Sequence, residues 1–206
     1  MAAIKQSWQD CSKCPLAGLR TQVVFGTGNL GARLVVIGDA PSEQEDLQGT
    51  PFVGEAGERF NALLEAVGID REDIWLTNVC ACRPKLDKPG KPNRAPTVQE
   101  MKSCFPRLSE EINIVRPEII VLLGNSPLYM ATRKRGITKM RGWQPAKWNG
   151  DGFSVSQIFA TLNPASLLYG SEEQRRMKAN WMYEDWLQIR ERLLSGKEKT
   201  VSGAED

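Results

Sequence analysis

Four short apolar runs, separated by stretches with helical spacing, constrain this chain more than any other feature. They are Arg33–Gly38 (RLVVIG), Ile74–Val79 (IWLTNV), Glu118–Leu123 (EIIVLL) and Ser154–Thr161 (SVSQIFAT). A run that is apolar on both faces reads as a buried parallel strand. After the first run, Phe60, Leu63, Leu64 and Val67 recur at i, i+3, i+4 and i+7, the stripe of an amphipathic helix. Thr97 with Glu100 spells a capping box for the next helix, which Pro106 is expected to kink or split. Ser171 with Gln174 opens a last helix carrying Trp181, Trp186, Ile189 and Leu193. This alternation predicts an α/β fold, a parallel sheet covered on both faces. Ligands of such sheets bind beyond the carboxyl ends of the strands. Two polar turns fall there: Gly38-Asp39-Ala40-Pro41 after the first run, and Leu76-Thr77-Asn78 in the second.

At 206 residues and 41% hydrophobic, the chain is sized for one core. The reading is one domain over residues 1–195, followed by a polar tail over 196–206 expected to be disordered. Net charge is only +2, so overall charge does not announce a nucleic-acid binder. No stretch approaches the ~20 apolar residues that span a bilayer. The start, MAAIKQSWQDCSKC, lacks an apolar signal core, so no membrane partner and a cytoplasmic monomer are expected. Gly26, Gly28 and Gly31 spell G-x-G-x-x-G, but they precede a strand instead of following one, which argues against a dinucleotide site.

The chain has no histidine, which removes the commonest catalytic side chain from any mechanism. It has five cysteines. Cys11 and Cys14 form C-x-x-C, a spacing that lets two thiolates grip one metal centre. Cys82 and Cys104 lie far off, one after the second strand and one in the following helix. If strand alternation continued, Cys80 and Cys82 would point the same way, so periodicity does not choose between them. In a reducing compartment such cysteines are metal ligands more often than disulfides. An iron–sulfur cluster and a tetrathiolate zinc site both want four sulfurs. The plain alternative is a set of small buried hydrophobes.

Read in order, seven segments resemble the type 4 (iron–sulfur) uracil-DNA glycosylases. They are CSKCPL (11–16), IGDAPSEQED (37–46), GTPFVGEAG (49–57), LTNVCACRP (76–84), NRAPTVQEMKSC (93–104), RPEIIVLLG (116–124) and TLNPASLL (161–168). The resemblance covers roughly residues 10–190. It implies a three-layer α/β/α fold around a central four-stranded parallel sheet, DNA as partner, and a 4Fe–4S cluster. The implied cluster ligands are Cys11, Cys14, Cys82 and Cys104, because the family's ligand immediately precedes Arg-Pro. In the implied pocket, Gly38, Asp39, Ala40, Pro41 and Ser42 form a lining turn, Phe52 stacks on a flipped base, and Asn78 bonds its Watson–Crick edge. Asn163-Pro164-Ala165 stands where the family has His-Pro-Ala, and the segment Ser166, Leu167, Leu168, Tyr169 is implied to enter the duplex. Three residues depart from the family pattern: Asp39 replaces a glutamate, Ser42 a glycine and Asn163 the histidine. An asparagine amide still donates to a base oxygen but carries no positive charge. Losing the strength of such a donor costs about 10²–10³ in rate.

Removing a base from deoxyribose passes through an oxocarbenium-like sugar while the base leaves as an anion. That needs donors at the base and a carboxylate beside the sugar. Asp39 is the candidate carboxylate and Asn163 the candidate donor. Glu45 and Asp46 stand second in line and are expected to be solvated. Plainer roles exist for each site residue: a turn-forming Asx for Asp39, a strand-end cap for Asn78, core packing for Phe52. Leu167, Leu168 and Tyr169 suit either a wedge into the gap left by an extruded base or packing under the last helix. Two basic groups suit phosphate contacts or simply a solvated face: Arg83, Lys85, Lys88, Lys91 and Arg94, then Arg133, Lys134, Arg135, Lys139 and Arg141. The expected activity is a DNA glycosylase removing uracil or a modified pyrimidine; if the latter comes from phage DNA, the role is defence instead of repair. The competing classes are a lesion-binding protein without catalysis and a cluster-based redox protein.

Overall fold

A computed structural model describes residues 1–86, 93–150 and 153–201. Lys88 and Lys91 of the first basic group lie outside the described residues, as does 202–206, the end of the expected tail.

The elements in chain order are α1 (Ala2–Trp8), β1 (Thr27–Gly28), β2 (Leu34–Gly38), α2 (Glu43–Gln48), α3 (Glu55–Val67), β3 (Ile74–Asn78) and α4 (Val98–Val115). There follow β4 (Ile119–Leu123), α5 (Asn125–Thr132), β5 (Gly142–Gln144), β6 (Trp148–Gly150), β7 (Phe153–Val155), β8 (Gln157–Thr161) and α6 (Glu172–Val201). The main sheet runs β1-β3-β2-β4-β8-β5. Its middle four strands, β3, β2, β4 and β8, are parallel; β1 and β5 pair antiparallel at the edges. Every residue of β2, β3 and β4 is buried, as expected when helices cover both faces. On one face Val35, Ile37 and Ile120 pack against Met101, Leu108 and Ile112 of α4 and Leu128 of α5. On the other, Leu34, Val36 and Val121 pack against Phe60 and Leu64 of α3 and Trp186 and Ile189 of α6. The result is the three-layer α/β/α sandwich with a four-stranded parallel centre. The edge strands were unread because two or three residues carry no periodicity.

Three sequence expectations change. The run Ser154–Thr161 is not one strand: Phe153–Val155 pairs with Trp148–Gly150 in a separate hairpin, and only Gln157–Thr161 joins the sheet. Pro106 does not split its helix, which continues from Val98 to Val115. An interior proline costs about 3 kcal/mol, but α4 buries Met101, Leu108, Ile112 and Val115. At about 1.5–3 kcal/mol for each large apolar side chain, that burial outweighs one lost backbone bond. The box of Thr97 and Glu100 opens the helix as read. The helix α6 carries on to Val201, past the Ser195 region where the tail was expected to begin.

Candidate active site

From β2 the chain passes to β3 on one side, then crosses to β4 on the other, so the crevice between the ends of β2 and β4 is a switch point in strand order. A cleft of about 520 Å³ opens there. Asp39, Ala40, Pro41 and Ser42 line it from the turn after β2, Phe52 from the loop before α3, Asn78 from the end of β3, and Asn163 from the turn after β8. Gly38 floors it from beneath: a Cβ there would strike the Asn78 amide oxygen and the Phe52 ring.

Asp39 is held at two points. Its Oδ1 accepts from the Ser126 backbone N–H at 3.0 Å, in the first turn of α5, and its Oδ2 accepts from Asn163 Nδ2 at 3.1 Å. A carboxylate at a helix N-terminus is favoured by the orphan N–H groups there. Gly124 allows the approach, since at φ +97° it supplies a backbone few side chains adopt, and a Cβ would come within 3.1 Å of Asp39 Oδ2. Burial raises the Asp39 pKa above the ordinary aspartate value, and the bonds from Ser126 and Asn163, with the positive charge of Arg135, pull part of that back.

The Asn163 amide is fully committed inside the protein. Its Oδ1 accepts from the Ala165 N–H at 3.0 Å, which fixes Nδ2 toward Asp39 and, at 3.4 Å, toward the Leu123 carbonyl. Instead of reaching toward a base oxygen, as the sequence suggested, this donor grips the carboxylate.

Phe52 is buried, tilted against Phe60 at 5.4 Å between ring centroids, and Phe60 in turn meets Trp186. Its backbone is left-handed, at φ +58°. Glu45 holds that conformation: Oε1 accepts from the Phe52 N–H at 2.6 Å and Oε2 from the Ser42 N–H at 2.7 Å. Burial raises the Glu45 pKa while those two N–H groups oppose the shift. Glu45 and Asp46 are therefore buried, not solvated; Asp46 accepts twice from the Thr21 N–H, at 2.9 and 3.0 Å. The signal for Glu45 was available, since Ser42-x-x-Glu45 has the same capping-box form as Thr97-x-x-Glu100.

The basic residues divide differently from expectation. Arg83 is buried and tied to Asn93 at 2.7 Å and Glu43 at 3.0 Å. Arg94 lines the cleft but is forked onto Glu100 at 2.6 and 2.7 Å. Arg141 is forked onto Asp185 at 2.9 and 3.2 Å and stacks on Trp181. These three are structural clamps, because charge in a sequence does not reveal which carboxylate folding brings beside it. Lys85, Arg133, Lys134, Arg135 and Lys139 are exposed. Arg133 and Arg135 stack over Tyr129. At the mouth of the cleft, the 3-10 turn Pro164–Leu168 keeps Ser166 and Leu167 half-buried, with Leu167 against the core. Leu168 and Tyr169 line the cleft, and Tyr169 is 70% exposed.

Cys14, Cys80 and Cys82 all feel the charge of Cys104 on α4, and Cys11 neighbours Cys14. Cys80 and Cys82 do not follow strand alternation, since β3 ends at Asn78. Cys80 is a buried free thiol hydrogen-bonded to Cys104, whose sulfur also accepts from the Ala81 N–H at 3.3 Å. The bond from Cys80 and the charge of Arg107 lower the Cys104 pKa against its burial. Burial raises the Cys14 pKa, and the neighbouring Cys104 and Cys11 raise it further. Burial likewise pushes Cys82 up to about 11, against the pull of Arg20, which donates to its sulfur at 3.6 Å. Among the described residues no group of three or more His, Cys, Asp or Glu is close enough to hold a single ion. The chemistry of the donors suits a larger, anionic sulfur-bound group: four thiols from three chain segments, flanked by the cations Arg20 and Arg107. Arg107 bonds the Cys104 sulfur, and its buried Nε–H has no other acceptor among the described residues; a sulfur of such a group would supply one.

A family model described as the uracil DNA glycosylase superfamily matches residues 25–188. This chain belongs to that superfamily. The glycosylase chain is 39% identical over 180 residues to the type-4 uracil-DNA glycosylase of Thermotoga maritima, covering 86% of this chain and 88% of that one. It is 42% identical over 167 residues to the type-4 uracil-DNA glycosylase of Archaeoglobus fulgidus, covering 78% and 79%. With the type-4 uracil-DNA glycosylase of Saccharolobus solfataricus it shares 37% over 193 residues, covering 91% and 83%. Among the described residues no helix is long and apolar enough to cross a membrane.

Proposed function

We propose that this protein is a uracil-excising DNA glycosylase that hydrolyses the N-glycosidic bond of a flipped-out nucleotide and leaves an abasic site. The observation that carries the reading is the convergence of Asp39, Phe52, Asn78 and Asn163, from four separate chain segments, on one cleft at the strand ends.

The extruded base leaves its stack at a cost of a few kcal/mol. Phe52 offers a ring face, its height set by Glu45 and Phe60, and Asn78 offers an amide to the base edge. Leu168 and Tyr169 stand at the rim, where an apolar wedge would fill the gap in the duplex. As the bond to the sugar breaks, positive charge develops on the sugar and negative charge on the base. The Asp39 carboxylate is the working anion: it stabilises the sugar cation or orients the attacking water. Asn163 serves as its orienter, since its amide is spent on Asp39 and on Ala165. The exposed cations Lys85, Arg133, Lys134 and Arg135 supply phosphate contacts.

Cys11, Cys14, Cys82 and Cys104 would hold a 4Fe–4S cluster. When bound, it supplies a cross-link among the N-terminal segment, the chain after β3, and α4, together with a one-electron couple.

An oligonucleotide containing one uracil, incubated with anaerobically purified protein and then treated with alkali, tests the reading. Strand breaks at the uracil are expected; binding without breaks would overturn it. Modified pyrimidines in the same assay, including those of phage DNA, measure how much of the 520 Å³ cleft a larger base can use.

A further inference from the structure

One fully buried cation flanks the cysteine group but has no part in the base release described above. Arg107 lies on α4, one helical turn past Cys104, with no exposed surface. Burial alone would lower its pKa, but Glu111 at 3.0 Å and the Cys104 sulfur outweigh that and keep it charged. The guanidinium spreads across the end of β3. Nη1 donates to Thr77 Oγ1 at 3.0 Å, while Nη2 donates to the carbonyls of Asn78 at 2.5 Å and Val79 at 3.1 Å. Glu111 closes the network, accepting from Thr77 Oγ1 at 2.6 Å and from the Gly26 N–H at 3.1 Å. Asn78 is the last residue of β3, paired with Gly38 at the end of the ladder. Past that point the Val79 N–H still donates to the Gly38 carbonyl at 2.9 Å and the Cys80 N–H to the Asp39 carbonyl at 3.1 Å, while Arg107 takes the carbonyls of Asn78 and Val79.

We infer that Arg107 is a positioning residue that ties the cysteine group to the base-reading wall, fixing the Asn78 backbone so that its side chain meets the base edge. The inference rests on the reading of the cleft as a uracil site. It explains why the residue is arginine: a planar fork spans well-separated acceptors in a fixed geometry, whereas the three donors of an ammonium radiate from one nitrogen. It also gives the cysteine group a route to base recognition, since Cys104 and Arg107 share one face of one helix.

The test uses the iron-loaded protein and the variant Arg107→Lys, which keeps the charge beside Glu111 and removes the fork. Affinity is measured for a uracil-containing duplex and for the same duplex carrying a stable abasic analogue, which has no base to read. Iron content and visible absorbance are measured beside affinity, and only iron-loaded protein is compared, so that loss of the cluster is told apart from loss of base reading. Affinity for the uracil duplex should fall on the order of tenfold, with the abasic duplex unaffected. Equal losses on both duplexes, or no loss on either, would overturn the inference. If Arg107→Lys fails to fold or load iron, Thr77→Val decides, since it removes one anchor of the fork and leaves every cysteine and Arg107 in place. The same selective loss, smaller in size, is expected there, and unchanged discrimination overturns the inference. Should the unmodified protein release no uracil, the reading of the cleft fails first, and that result is separate from either variant's.

Discussion

At the carboxyl ends of the parallel strands polar side chains turn inward; at the amino ends of the same strands they turn out. Asp39, Asn78 and Asn163 at the first end touch one another or neighbouring backbone within the cleft. At the other end Arg33 pairs with Glu118 at 2.7 Å near the surface, and a second hollow, of about 280 Å³, is lined in part by Asp70, Asp73 and Arg190. Both ends have a hollow and both have charges. They differ in burial: at the first end a carboxylate is raised in pKa by removal from water, whereas at the second the Arg33 side chain lowers the Glu118 pKa in an ordinary exposed pair. Strained chemistry is stored where charge is costly to keep, and the cleft is the end that stores it.

Five experiments break or sharpen that contrast. The largest effect belongs to Asp39→Ala, which should lower uracil release about 10²–10⁴-fold while the iron absorbance stays intact; near-normal release would take Asp39 out of the mechanism. Asn163→Ala removes one of the donors that seat Asp39. Single-turnover release should drop about 10–100-fold, the value of a hydrogen bond to a charged group. Phe52→Leu keeps an apolar side chain but loses the ring face, so binding of the uracil duplex should weaken by roughly tenfold, within the ~1–3 kcal/mol of a base–aromatic stack.

The fourth is a pH profile. Burial raises the Asp39 pKa, and the carboxylate is the working form, so activity falls as pH drops through that raised value. The acid limb must then lie above the range of an ordinary aspartate. Arg135→Ala should move it higher still, because Arg135 favours the charged form, and should reduce the salt slope of DNA binding by about 0.9. A limb at or below the ordinary range would contradict the geometry. The smallest effect is at the other end of the sheet. Glu118→Ala should cost at most about 1 kcal/mol of stability by thermal melting, as exposed pairs do, and leave release unchanged.

Much of the fold could be read from residue patterns, because β2, β3 and β4 are apolar on both faces and their runs mark the strands to within a residue. The run ending in β8 was overextended because Ser154 and Val155 look like strand and are strand, but in another pairing. For the site, the Gly-Asp-Ala-Pro turn, Phe52, Asn78 and Asn163 were all visible as motif segments, and they line or floor one cleft. Side-chain partners were not visible. Nothing in the order of residues says that Arg83 meets Glu43, that Arg141 meets Asp185, or that the Asn163 amide is spent on Asp39. Such pairings are made by contacts across 40, 44 and 124 positions.

The left-handed backbone at Phe52 limits anyone who wishes to re-tailor this enzyme. Valine, isoleucine and threonine, the usual choices for opening room beside an aromatic, resist that φ because their branching sits on Cβ. Asparagine or glycine would accept the same twist, so a broader substrate range is more accessible by way of a polar or empty position than by way of a smaller hydrocarbon.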